Sequence, residues 1–189
     1  MKAVAILASH VVGASATNMK ANTREICLYG IFGAITFILK LVMAPLPNIE
    51  PVSLLLIAYT ITFGIKVIYP LAIYVLLEII IYGFGIWSVG YLYIWLVLVV
   101  TVLSIYNITQ STNALLWAII SGIFGFLIGV LYIPLYVITG GTTMAFNWWL
   151  AGIPYDAVHG VANFVICLVM IKPLTKLLFM LNKQYKIND

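Results

Sequence analysis

The chain has 189 residues, 65% of them hydrophobic and 7% charged, and its mean hydropathy is +1.17. A soluble domain is about 45–50% apolar and about 25% charged, so that class is excluded; disorder, which needs low hydrophobicity and high charge, is excluded with it. The net charge of +4 comes from nine Lys/Arg against five Asp/Glu, too sparse for a nucleic-acid-binding stripe, and an integral membrane protein remains.

Residues 1–18 admit three readings: a faint signal peptide in Met1-Lys2 followed by Ala3–Ala8, a peripheral amphipathic tail, or an extension upstream of a start at Met19. The last is favoured, because Met19–Glu25 reads as a cytoplasmic leader. Residues 19–189 then form one transmembrane domain. From Val67 to Ile171 the only formal charges are Glu78 and Asp156. About 20 apolar residues cross a bilayer, so this stretch holds several spans. The runs are continuous rather than alternating, which selects helices over barrel strands.

Proline, glycine and polar clusters place the breaks. Span one is expected over Ile26–Ala44, ending at Pro45-Leu46-Pro47-Asn48. Span two starts near Pro51 and ends near Phe63-Gly64. Span three covers Val67–Tyr82, with a loop over Gly83–Gly90, and span four covers Tyr91–Ile105. A polar turn, Tyr106–Asn113, leads to span five at Ala114–Tyr136. A long loop over Ile138–Ile153 then precedes span six, from Pro154 to about Leu178. The expected fold is thus an all-α bundle of six transmembrane helices. Lys20, Arg24, Lys66, Lys172, Lys176, Lys183 and Lys186 fall on one side of it, the cytoplasmic side by the positive-inside rule, with both termini there. Trp87, Trp148 and Trp149 suit an outer aromatic belt, and Lys40 is the misfit. Cys27 and Cys167 read as buried small apolar residues.

Ionisable groups at membrane depth face a bundle interior or a wet cavity. Lys40, Glu50, Glu78, Asp156 and His159 all fall in the outward half of this arrangement. Tyr74, Glu78 and Tyr82 share a helical face, as do Trp87, Tyr91 and Trp95, and Asp156, His159 and Asn163. Aromatic walls with a few placed polar groups suit a small flat ligand. The set Lys40, Asn48, Glu50, Tyr74, Glu78, Tyr82, Trp87, Tyr91, Trp95, Trp148, Asp156, His159 and Asn163 is therefore the candidate binding site. The plain alternative is that Lys40 pairs with a carboxylate and the aromatics only pack.

There is no Gly-x-Ser-x-Gly elbow, no His-Glu-x-x-His and no Gly-x-x-x-x-Gly-Lys loop. Asp156-x-x-His159 lacks a third metal ligand nearby, and could instead relay protons. No catalysis, metal or cofactor is expected. Gly30-x-x-x-Ala34, with Gly33 beside it, and Gly125-x-x-x-Gly129, with Gly122, allow close helix approach. The second set reads as internal packing; the first fits either internal packing or a partner helix, and spacing alone does not decide between them.

Two stretches, Leu46-Pro47-Asn48-Ile49-Glu50-Pro51-Val52 and Gly152-Ile153-Pro154-Tyr155-Asp156-x-x-His159-Gly160-x-x-Asn163-Phe164, carry a family resemblance. With the length and span count, they make the chain resemble the substrate-binding S component of an energy-coupling factor transporter over about Met19–Lys183. The resemblance implies a prokaryotic plasma-membrane protein that takes a vitamin from outside, partnered by a transmembrane scaffold and two ATPases. It also implies toppling in the membrane to release ligand, and scaffold docking through Gly30, Gly33 and Ala34, where relatives carry Ala-x-x-x-Ala. Three acids against one lysine favour a small heteroaromatic ligand, pyridoxine or hydroxymethylpyrimidine, over an anion. The rival readings are an S component for another vitamin such as pantothenate, thiamin or cobalamin, and a stand-alone proton-coupled carrier.

Overall fold

In the computed structural model, which describes residues 21–185, helix α1 (Thr23–Met43) starts where two residues cap each other. Asn22 Oδ1 accepts from the Glu25 amide at 2.9 Å, and Glu25 Oε2 accepts from the Asn22 amide at 2.7 Å, satisfying two orphan donors reciprocally. The readings of residues 1–18 lie outside the described residues. α1 gives way to the proline turn, and α2 (Val52–Phe63) follows Pro51.

All twelve residues of α2 are buried. A helix apolar all round is an interior helix, and α2 packs on α1, on α4 and on the helical segment after it. Gly64, with φ 59 and ψ −137, ends α2 in a conformation that L side chains rarely adopt. A 3-10 turn, Gly64–Val67, leads into α3 (Ile68–Tyr82), which packs along α1. That turn is tied to the start of α1 by Lys66 Nζ and Glu25 Oε1, 2.7 Å apart and both buried. At the far end of the same helix pair, Lys40 Nζ lies 2.8 Å from Glu78 Oε2.

The expected loop Gly83–Gly90 is much shorter. Only residues 83–85 are non-helical, because the Gly85 amide donates to Ser88 Oγ at 2.7 Å and the helix starts there. α4 therefore runs Ile86–Thr109, longer than expected at both ends, and stops at Gln110 with φ 47. The remaining helical segment, Ala114–Tyr185, is interrupted only at Gly141, with φ 80 and ψ 174. It forms two arms, α5 (residues 114–140) and α6 (residues 142–185).

These arms pack antiparallel in a regular register. Gly122 meets Phe164, Gly125 meets Gly160, Gly129 meets Asp156, and Tyr136 stacks on Trp148 at 4.1 Å. The expected loop Ile138–Ile153 is thus a correction. One glycine reverses the chain, and residues 142–153 are helical, their packing against α5, such as Trp148 on Tyr136, overriding a mixed local propensity. Pro154 does not open the last helix but sits inside it, as Pro173 does, and Pro134 sits inside α5. Gly122, Gly125 and Gly129 serve internal packing, as their spacing suggested.

No strand occurs among the described residues. Among the described residues, four segments are long and apolar enough to cross a membrane: Thr23–Met43, Val52–Tyr82, Ile86–Thr109 and Ala114–Tyr185. Their outer faces carry exposed Ile31, Val42, Val100, Ile123 and Val169, apolar surface that lipid rather than water covers. The chain is an all-α membrane protein. Cys167 is buried, but Cys27 is exposed, against expectation, because it falls on the outer face of α1 beside Ile26 and Ile31.

Candidate binding site

Near the end of α1, where the chain turns through Pro45–Asn48, two cavities adjoin. The first, about 450 Å³, lies among the end of α1, the α1–α2 turn, α3 and α4; the second, about 500 Å³, lies among α4, α5 and α6. Each is within the range of small-molecule pockets, about 300–1,000 Å³. Asn48, Glu50, Tyr91 and Tyr132 line both and form their common wall.

Most of the candidate residues converge here. Lys40, Glu78, Tyr82 and Trp87 line the first chamber, and Trp95, Trp148, Asp156 and His159 the second. With Asn48, Glu50 and Tyr91 in the wall, only Tyr74 and Asn163 stand outside. Tyr74 is fully buried behind the wall, stacked on Tyr91 at 6.2 Å and edge-on to Trp95 at 6.1 Å. Asn163 lies one helical turn beyond His159, and its Nδ2 donates to Ser53 Oγ of α2 at 3.0 Å. It pins the central helix to α6 rather than facing a chamber. Trp87 and Trp148 line chambers instead of standing in a peripheral belt.

The first chamber is built around a neutralised pair. Lys40 Nζ donates to Glu78 Oε2 at 2.8 Å and to Tyr91 Oη at 3.0 Å, 5.0 Å from the centre of the Tyr91 ring. The plain alternative for Lys40, pairing with a carboxylate, is what the structure contains, and it resolves the apparent misfit. Glu78 Oε1 is buried without a hydrogen-bond partner. Tyr82, Trp87 and Tyr91 follow one another edge-to-face at 6.4 and 5.4 Å.

In the second chamber His159 Nε2 lies 3.7 Å from Glu50 Oε1, and Trp95 Nε1 is buried without an acceptor. Burial pushes the Glu50 carboxyl above the usual carboxylate range, with nearby Lys40 pulling it back in part. Asp156 rests directly on Gly129, whose missing side chain makes room for its carboxylate. Among the described residues no three of His, Cys, Asp or Glu are grouped to hold a metal.

Sequence reasoning missed Tyr132. Its hydroxyl donates to the Trp87 carbonyl at 3.0 Å, its ring meets Trp148 at 5.6 Å, and it covers Gly90, where any side chain would collide with it. The signal was available, since Tyr132 continues the Gly125-Gly129 face by three residues. Gly33 is also internal. A Cβ there would lie 2.6 Å from Ile73 and 2.7 Å from the Pro70 carbonyl of α3, so it serves α1–α3 packing. Gly30 has nothing within 4 Å of a would-be Cβ, and Ala34 is half-buried, so of the three these two border open surface.

Comparison with known proteins finds no matching family, no matching curated protein and no matching solved structure. Fold and site define the class: an all-α membrane protein with two adjoining polar, aromatic-walled chambers near one end of its helices.

Proposed function

We propose that the chain is the vitamin-binding subunit of an energy-coupling factor importer, binding a small heteroaromatic vitamin or precursor, with pyridoxine or hydroxymethylpyrimidine favoured. The observation that carries this is the convergence of Glu50, Glu78, Asp156 and His159 on two adjoining aromatic chambers. Carboxylates and ring faces held in apolar surroundings are a costly arrangement that a bound ligand repays. In this reading the chain spans the plasma membrane of a prokaryote six times, with both termini cytoplasmic. It works with a transmembrane scaffold and two ATPases, which supply the energy that this chain has no phosphate loop to harvest. Gly30 and Ala34 offer the small-residue face for the scaffold.

Purified protein titrated with a vitamin panel tests the reading, read by fluorescence of Trp87, Trp95 and Trp148. At least one heteroaromatic vitamin should bind, and Glu78→Gln should weaken it by about tenfold or more, the worth of a hydrogen bond to a charged group. If no vitamin binds, the reading is lost. Co-purification of a scaffold and ATPases tests the partner half.

The Glu50–His159 pair at 3.7 Å favours a second reading, a stand-alone proton-coupled carrier. Uptake into vesicles that hold this chain alone would favour that alternative.

A further inference from the structure

The two chambers share a wall but differ in charge. In the first, the one cation is already neutralised, since Lys40 Nζ is held between Glu78 Oε2 and Tyr91 Oη. What it offers a visitor is the third ammonium hydrogen of Lys40 and the unpartnered, buried Glu78 Oε1. A hydroxyl can accept from the first and donate to the second. The second chamber has no Lys or Arg in its lining. It holds Asp156 and Glu50 with His159 beside them, between the rings of Trp95, Trp148 and Tyr132. Carboxylates and aromatic faces together attract a cation or a polarised N–H ring.

Resting on that binding reading, we propose that the ligand lies polarised across the site: a cationic or N–H-donating heteroaromatic ring in the Asp156–His159 chamber, and a neutral hydroxylated arm in the Lys40–Glu78 chamber. An anionic arm would meet Glu78 and Glu50 with no unpaired cation to receive it, so a phosphate ester of the same molecule is rejected. The discrimination is reversible. Removing the charge of Glu78 frees Lys40, and the same chamber then accepts the anion.

The test titrates the purified full chain with pyridoxine and with hydroxymethylpyrimidine, each beside its own phosphate ester. With wild type, the ester of a parent that binds should be weaker by about 100-fold, the scale of a like-charge juxtaposition in a poorly hydrated site. Glu78→Gln should tighten the ester by about tenfold or more while weakening the parent. Asp156→Asn should weaken both and leave their ratio unchanged within about threefold. Where thermal unfolding shows that Glu78→Gln does not fold, Lys40→Met carries the test, and the parent-to-ester ratio must widen. A parent that binds together with an ester within about threefold of it overturns the polarity and leaves the binding reading standing. So does an ester that gains nothing in folded Glu78→Gln. If neither parent binds wild type, the polarity falls together with the choice of ring.

Discussion

Alanine at Gly125 would put a methyl 2.8 Å from the Gly160 Cα, 2.9 Å from the Gly160 amide nitrogen and 3.0 Å from Asn163 Nδ2. Carbon atoms in contact sit about 3.5–4.0 Å apart, so α5 and α6 would have to separate by roughly 1 Å. The obstacle is backbone, and no rotamer change relieves it. Overpacking of this kind costs about 1–3 kcal/mol, while alanine in a helix regains about 1 kcal/mol over glycine. Gly30→Ala provides the control. It enjoys the same propensity gain with nothing within 4 Å of the new methyl. The difference between the two variants isolates the clash, about 1–3 kcal/mol, or roughly 2–12 °C in Tm for a chain of this size. Gly129→Ala separates stability from site geometry. The atoms nearest its methyl belong to the Asp156 carboxylate, which can rotate away, so Tm should change little while the carboxylate leaves its place in the second chamber. Thermal unfolding of the three purified variants, with wild type alongside, reads all of this. A Gly125→Ala protein that melts at or above Gly30→Ala would refute the register of the α5–α6 hairpin.

Three further outcomes are expected. Lys66→Met alone should cost about 3–5 kcal/mol, because it leaves the buried Glu25 carboxylate without its cation, whereas Lys66→Met with Glu25→Gln, whose side-chain oxygen can still accept from the Asn22 amide, should recover most of it; a thermal double-mutant cycle measures the coupling. Gly90→Ala must dislodge the Tyr132 ring and break its 3.0 Å hydrogen bond to the Trp87 carbonyl, so the tryptophan emission should shift and ligand affinity fall by about tenfold. Glu50, raised above its ordinary 4.5 by burial, favours folding in its protonated form. Its contribution is complete below the ordinary value and is lost as pH rises through the raised one, so Tm should fall across that window in wild type relative to Glu50→Gln.

Much of the site was legible in the sequence because few polar residues occur in the chain and they recur at helical spacing. Asp156 and His159 share a face whatever α6 packs against, and so do Trp87, Tyr91 and Trp95. Gly33 was misread for the opposite reason. A helix apolar on every side gives no amphipathic signal of which face turns inward. The long loop was misread because Gly140-Gly141 and Pro154 are ordinary breaker signals. Within Ala114–Tyr185 only Gly141 departs from helix, and apolar packing carries the rest through.

By itself, the sequence determined that the chain is helical and membrane-embedded, and where most turns fall, because those follow from composition, run length and local backbone chemistry. The tertiary structure alone decided that Lys40 is neutralised by Glu78, 38 positions away, and Lys66 by Glu25, 41 positions away. It also decided that α2 is the buried axis and that Tyr132 closes the wall between two chambers. These depend on how each helix is rotated and which neighbour it meets. In a chain this apolar, that choice is made by packing between distant segments and leaves no periodic trace in any one of them.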